Sequence, residues 1–357
     1  MSYSIREIGE NIKNSPLFDG SVEYSVPLSD LTTMRVGGPA ELFIRPQNEL
    51  SAAMAISLCR NQGVKLFILG GGSNVVVNDQ GFEGAIIASR SMSGISLSPK
   101  TLEPFSTEDF PEIKEAVTVE LTVQAGTQIQ ELSQWCERYG IIGLETFAGL
   151  PGTVGGACYM NARCYETDFS SIVKSIRYID IDAIPAGIES MTTTYDINFD
   201  SFIKTYTMAQ DGSGWGYKKS PFQRTRRLIT QVVMELKGLD PYICGGQTAN
   251  PAIHDYIKRK NQEKIQDRQD KGQFKAPSSG SVFKNNHAYG KPSGAIIDEV
   301  GLKGTKIGGA QVAPWHGNFI INNGTAKASD IRQLVSFVRE KVHENTGFNL
   351  EPEIIFV

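Results

Sequence analysis

Apolar and polar positions divide the chain into three stretches of different texture. Up to about Ser89 the pattern runs strand, helix, strand. Ala40–Ile44 reads as a strand, Glu49–Gln62 as a helix, and Val64–Leu69 as a buried strand running into Gly70-Gly71-Gly72. From about Ser91 to Leu239 short strands dominate: Ala116–Gln124, Ile172–Ile181 and Leu228–Leu236. One helix, Gln128–Tyr139, interrupts them with Ile129, Leu132 and Cys136 on a single face. Ser96–Ile113 carries three prolines and mixed charge and reads as a surface loop or insertion. The last stretch opens on a polar helix, about Pro251–Asp270. It closes on a second helix in which Ile331, Leu334, Val335, Val338 and Val342 follow the i, i+3, i+4 spacing. Ser329 is placed to cap that helix's start and Gly347 its end. Strands are expected around Ser281–Phe283, Gly308–Val312, Phe319–Asn322 and Glu353–Phe356. No internal repeat is visible. The pattern predicts an α+β architecture in three domains, 1–90, 91–239 and 240–357.

Composition narrows the function classes. Of 357 residues, 40% are hydrophobic and 21% charged, as in a globular protein, and 35 Lys and Arg against 39 Asp and Glu leave no basic footprint for nucleic acid. No apolar run is long enough to span a membrane. Met1–Asn14 is polar and holds no signal-peptide core. The five cysteines (Cys59, Cys136, Cys158, Cys164, Cys244) are scattered, with no CxxC pair, which argues against a disulfide framework or a zinc site and for the cytoplasm. The four histidines, His254, His287, His316 and His343, show no metal-ligand spacing, so no metal is expected.

Three glycine-rich segments carry the candidate chemistry. Leu69-Gly70-Gly71-Gly72-Ser73-Asn74 follows a buried strand, where bare backbone N–H groups can form an anion-binding nest and Ser73 and Asn74 add donors. It is neither a P-loop nor a dinucleotide fingerprint, and a simple tight turn is the plainer reading. Ala148–Ala157 holds four glycines and Pro151, so the backbone passes close to another strand or to a flat ligand. Thr33–Ala40 pairs Arg35 with the Gly37-Gly38 turn.

Taken together, these segments resemble the FAD-binding half of the UDP-N-acetylenolpyruvoylglucosamine reductase family, which has a vanillyl-alcohol-oxidase-like flavoprotein fold. Thr33–Ala40 matches its Thr-x-Arg-x-Gly-Gly-x-Ala, Gly70–Asn74 its Gly-Gly-Gly-Ser-Asn, and Gly149–Ala157, continuing into Met160-Asn161-Ala162, its Gly-Ile-Pro-Gly-Thr-Val-Gly-Gly-Ala, with Leu150 for Ile. The resemblance runs from about Leu31 to Val357. It implies that the first two domains bind FAD and the third the substrate. The FAD pyrophosphate would lie on Gly70, Gly71, Gly72, Ser73 and Asn74, and the isoalloxazine near Gly149, Pro151, Gly152, Thr153, Gly155, Gly156 and Asn161. Thr33, Arg35, Gly37 and Gly38 would complete the cofactor site. The implied activity is NADPH-dependent reduction of the enolpyruvyl ether of a UDP-sugar, UDP-N-acetylglucosamine enolpyruvate, for peptidoglycan and cell-wall synthesis. The implied partners are small molecules, with a monomer as the expected state.

Adding hydride to one alkene carbon leaves negative charge on the other, beside a carboxylate. The site therefore needs a cation or donor near that carboxylate and a proton donor on the opposite face. The family's Gly-Ser-x-Phe-Lys is matched by Gly280–Lys284, which makes Ser281 the proton donor, with Lys284 the candidate to assist so weak an acid. Glu353, after Pro352, matches the family's substrate-orienting Glu. Gly216–Phe222 resembles its Gly-Tyr-Arg-x-Ser-x-Phe, but Lys218 stands where the catalytic Arg belongs and offers a point charge in place of a planar fork. Arg163, where the family usually has Gly, is the alternative cation, and Lys218 is preferred. Tyr217, Lys271, Lys284 and Asn285 are the candidate substrate contacts. Lys258, Arg259, Lys260, Lys264 and Arg268 read as a solvated helix face. No long tyrosine-bearing loop of the kind one subgroup folds over its substrate is evident. Two competing readings remain. An oxidase of the same flavoprotein fold could not link its flavin to a His before His254, though Cys158 or Cys164 could serve. A non-catalytic nucleotide-sugar binder is favoured only by the Lys218 departure.

Overall fold

The computed structural model describes residues 4–104, 108, 113, 115–209, 212–239 and 248–357. The chain forms two compact units, each assembled from separated stretches. Met1–Val22, Ile44–Gly71 and Ile87–Gln266 make the first; Glu23–Phe43, Gly72–Ile86 and Asp267–Val357 make the second. Helix and strand are mixed throughout, so the class is α+β.

The first unit is built on an antiparallel sheet in the order Ile203–Thr207, Val173–Asp180, Arg227–Gly238, Glu115–Gln124, Ile95–Pro104, with Ile141–Ile142 also paired to Arg227–Gly238. Alternate residues of the central strands, Val119, Leu121 and Val123 against Val232 and Met234, point into one core. The helix Ile129–Tyr139 lays Ile129, Leu132 and Cys136 on that core and ends at Gly140 in the left-handed conformation (φ 71°). Phe147 and Phe169, both fully buried, meet edge to face at 5.2 Å. The helix Glu49–Asn61 starts from Asn48, which accepts from the Ser51 N–H at 2.9 Å. Its Glu49 takes the Arg177 fork and the Thr230 hydroxyl, which ties the helix start to the sheet.

The second unit holds a four-stranded sheet in the order Ser278–Ser281, Phe319–Asn322, Ala310–Val312, Lys306–Ile307. The helix Ala328–Thr346 buries Ile331, Leu334, Val335, Val338 and Val342 against Ile296 and Ile297 of the helix Ser293–Glu299, and against Val282 and Phe283. Burying each such side chain contributes roughly 1.5–3 kcal/mol. The helix ends at Gly347 (φ 73°), as its sequence predicts. The last strand, Ile355–Phe356, pairs in parallel with Val75–Val76.

Several expectations are corrected. Ser96–Ile113 is not a loop through its first half: Ile95–Pro104 is an edge strand paired with Glu115–Gln124, and Ile95 and Leu97 pack on the core. Two of its prolines are tolerated because Pro99 sits at a register shift and Pro104 at the strand's end, and Pro111 lies outside the described residues. Ser329 does not cap the helix Ala328–Thr346. The Asp79 carboxylate accepts from the Ala328 and Ser329 N–H groups at 2.6 and 3.0 Å, a cap supplied from far away in sequence. The strand placed at Ser281–Phe283 is Ser278–Ser281, and the terminal strand is shortened to Ile355–Phe356. The helix Ile5–Lys13 went unforeseen, although Ser4 and Glu7 form a capping box. Four cysteines are buried and free, and Cys244 lies outside the described residues. Among the described residues no group of three or more His, Cys, Asp or Glu could hold a metal, and no helix is long and apolar enough to cross a membrane.

Candidate functional site

In the first unit the strand Leu66–Leu69 delivers Gly70 and Gly71 onto the second glycine-rich segment. A Cβ on Gly71 would lie 2.5 Å from the Gly152 Cα, and one on Gly70 2.9 Å from Thr153 Oγ1, so the two backbones touch where no side chain fits. Gly149 and Gly152 take left-handed φ values of 76° and 108°. Thr153 accepts from the Gly156 N–H at 3.4 Å and starts the short helix Val154–Met160, while the Gly155 N–H donates to the Ala125 carbonyl at 2.8 Å.

That helix ends at Asn161, left-handed and 1% exposed. Asn161 Oδ1 accepts from the Ser170 N–H at 3.0 Å, and its Nδ2 donates to the Gly216 carbonyl at 2.8 Å. Asn161 thus holds a tight turn closed by mutual backbone bonds between Gly216 and Lys219, 3.1 and 3.0 Å. Tyr217 and Lys218 are its two central residues, half-buried, with Lys218 left-handed at φ 54°. Gln223 Nε2 donates to the Lys218 carbonyl at 3.1 Å, and Ser220 Oγ to the Tyr159 carbonyl at 2.6 Å. The Arg163 guanidinium lies 5.8 Å from the Tyr217 ring centre and pairs with Glu166 at 2.7 Å and Asp168 at 3.2 Å. The Glu166 hydrogen bond, with Asp168 beside it, pushes the Arg163 pKa up from its ordinary value.

In the second unit the Thr33 N–H donates to the Gly72 carbonyl at 3.1 Å and Thr33 Oγ1 to the Ser73 carbonyl at 3.4 Å. Gly72 is left-handed (φ 68°), and a Cβ there would run into the Leu31 carbonyl. Arg35 is exposed and left-handed (φ 55°), and Asn322 Nδ2 bonds its carbonyl at 3.3 Å. The Gly38 N–H donates to the Asn78 carbonyl at 2.8 Å, and a Cβ on Gly38 would strike the Asp79 carbonyl. Along the turn Gly70–Ser73 two carbonyls are taken up, yet among the described residues no hydrogen bond takes the N–H groups. A run of unpaired N–H groups with no side chain above the glycines suits a pyrophosphate, so the turn fits the cofactor its sequence suggests.

Ser281 follows Gly280, left-handed at φ 73°. Beyond it the Glu353 N–H donates to the Val282 carbonyl at 2.7 Å, and the Lys284 N–H to the Glu351 carbonyl at 2.9 Å. Asn74 Nδ2 donates to the Glu353 carbonyl at 3.1 Å. Ser281, Glu353 and Asn74 are therefore brought onto adjoining backbone. Lys284 Nζ pairs with Glu351 at 2.6 Å, and Asn285 Oδ1 accepts from the Ser293 N–H at 2.9 Å. Lys271, just past the end of the helix Pro251–Asp270, pairs with Asp267 at 2.7 Å. Asn318, which bonds both backbone groups of Phe283, has no recognisable sequence signal.

Residues 40–183 match the model of an FAD binding domain, and residues 272–357 that of the UDP-N-acetylenolpyruvoylglucosamine reductase C-terminal domain. The UDP-N-acetylenolpyruvoylglucosamine reductase of Treponema denticola is 40% identical over 346 residues, covering 97% of this chain and 96% of that protein. The chain belongs to the UDP-N-acetylenolpyruvoylglucosamine reductase family. The Treponema pallidum reductase is 37% identical over 93% of this chain and 92% of its own length. The crystal structure of the Thermus caldophilus reductase superposes with a TM-score of 0.63 at 28% identity, over 95% of this chain and 99% of that one. Within this reductase-family chain, Gly70–Asn74 and Gly149–Asn161 fall in the FAD-binding match, and Ser281 and Glu353 in the C-terminal match. Lys218 lies between the two.

Proposed function

We propose that this chain reduces UDP-N-acetylglucosamine enolpyruvate to UDP-N-acetylmuramate with NADPH, through bound FAD, in peptidoglycan precursor synthesis. Family membership supports the reaction. The observation that carries the assignment of roles is the 2.7 Å bond from the Glu353 N–H to the Val282 carbonyl, which ties the carboxylate's segment to the residue after Ser281. The cytoplasm, a monomeric state and a division into domains 1–90, 91–239 and 240–357 belong to the same reading.

Bound FAD supplies the two-electron redox chemistry. Gly70–Asn74, Gly149–Gly156, Asn161 and the Thr33–Gly38 segment would hold it, the glycine turn Gly70–Ser73 offering backbone N–H groups to an anion. As the substrate alkene gains hydride at one carbon, negative charge develops at the carbon beside the carboxylate. Lys218 lowers the cost of that charge as a fixed cation. Ser281 Oγ then gives its proton to that carbon, and Glu353 orients the substrate and assists the transfer. Tyr217, Lys271, Lys284 and Asn285 contact the substrate. Steady-state oxidation of NADPH by the yellow, FAD-loaded protein tests the reading. It should depend on UDP-N-acetylglucosamine enolpyruvate, and binding of that compound without turnover would refute it.

A further inference from the structure

We propose that Asn318 is a positioning residue for the proton donor. Its carboxamide replaces a missing neighbouring strand and fixes the segment that joins Ser281 to Glu353. The proposal rests on the role given to Ser281 above.

The strand Ser278–Ser281 pairs with Phe319–Asn322 through Ser278↔Ile321 and Ser281↔Phe319, which sets Ser279 and Gly280 opposite the single Ile320. The extra residue is a bulge, with Gly280 left-handed within it, and it sets the direction in which Ser281 points. The ladder then stops, because its partner turns away at Trp315–Asn318. Asn318 completes it. The Val282 N–H donates to the Asn318 carbonyl at 2.9 Å, the Phe283 N–H to Asn318 Oδ1 at 2.8 Å, and Asn318 Nδ2 to the Phe283 carbonyl at 2.8 Å. One side chain thus gives Phe283 the reciprocal pair that an antiparallel strand would. Asn318 is 4% exposed and Phe283 2%, so water cannot stand in if either bond is lost.

The clamp is itself braced. The Asn318 N–H donates to His316 Nδ1 at 3.1 Å. The helix Ser293–Glu299 abuts it at Gly294, where a Cβ would lie 3.3 Å from the Asn318 Cβ, and Ser293 Oγ donates to the Lys284 carbonyl at 2.6 Å. Val282 is consequently held from both sides, its N–H by Asn318 and its carbonyl by the Glu353 N–H. A shift of this segment displaces Ser281 and Glu353 together, and a 1 Å misplacement can cost about 10²-fold in rate.

The test is Asn318→Asp in the FAD-loaded enzyme. The substitution keeps the acceptor for Phe283 and sets an oxygen against the Phe283 carbonyl. Reduction of the flavin by NADPH should stay within about twofold of wild type, while substrate-driven reoxidation falls roughly 10–10²-fold. In a Ser281→Ala background the same change should add less than about twofold, because both act through one group. Equal slowing of both half-reactions, or a full additional loss in the Ser281→Ala background, would overturn the proposal. Hydrogen exchange in the unsubstituted protein gives a second reading. The Phe283 amide, bonded to a side chain alone, should be protected like the Val282 amide, and fast exchange at Phe283 would overturn the clamp. If Ser281→Ala itself leaves reoxidation untouched, the proton-donor reading falls and takes the proposal with it. That outcome is distinct from a failed clamp.

Discussion

Arg163 and Asp168 are opposite partners in a short hairpin, with the guanidinium 3.2 Å from the carboxylate. Its other arm is on Glu166, so the fork that a carboxylate substrate would need is already engaged. Lys218, on the turn that Asn161 holds, is the cation we propose for the developing charge. Lys218→Ala should slow substrate-driven reoxidation of the flavin by about 10²–10³-fold, the cost of removing one transition-state donor. Arg163→Ala should cost less than about tenfold, and Lys218→Arg should keep or raise the rate. Stopped-flow reoxidation of the pre-reduced enzyme ranks the three, and the reverse order would move the role to Arg163.

Gly71→Ala should destabilise the protein by about 1–3 kcal/mol, because the new methyl group meets the Gly152 backbone and neither segment can yield alone. It should also weaken FAD retention. Thermal melting and the ratio of flavin to protein after gel filtration check both effects, and an unchanged ratio would remove Gly71 from the cofactor site.

Asp79→Ala should lose about 1–2 kcal/mol, since Asp79 caps the helix Ala328–Thr346 at two N–H groups. Burial pushes the Asp79 carboxyl up, but hydrogen bonds from Ser329 and Ala328 and the Lys327 charge outweigh it, and the pKa lies below its ordinary value. The unfolded chain then binds this proton more readily. The stabilisation is complete above about pH 4 and is lost as pH falls through the lower folded value. Acid titrations of both proteins should converge at the low end.

His316 acts in the same direction at higher pH. Burial lowers its pKa from 6.5, with Lys271 and Lys303 adding to the effect, and Nδ1 must stay unprotonated to accept from Asn318. Because the folded value lies below the unfolded one, stability is full above pH 6.5 and declines as pH falls from there through the folded value. His316→Asn, whose Oδ1 can accept in place of Nδ1, should flatten that decline. Denaturant midpoints at pH 7.5 and 5.5 measure it, and parallel declines would contradict the assignment.

The glycine segments were legible because each meets a local demand. Gly70 and Gly71 have no room for a Cβ, and Gly149 and Gly152 need positive φ. The helix Ala328–Thr346 was legible from its apolar spacing and from Gly347. What escaped the sequence was partnership at long range. Asp79 reaches a helix 249 residues away, and Asn318 bonds a residue 35 positions back. Neither has a sequence signature, since a lone Asp or Asn before an apolar run reads as a turn. The edge strand Ile95–Pro104 was missed because its prolines argued against a strand, while its register places them at a bulge and an end.

The central claim is that Ser281 delivers the proton, and Ser281→Ala tests it most directly. Stopped-flow measurement of the two half-reactions should give flavin reduction by NADPH within about twofold of wild type, and reoxidation by UDP-N-acetylglucosamine enolpyruvate slowed about 10²–10⁴-fold. Equal slowing of both half-reactions, or reoxidation at the wild-type rate, would contradict the account.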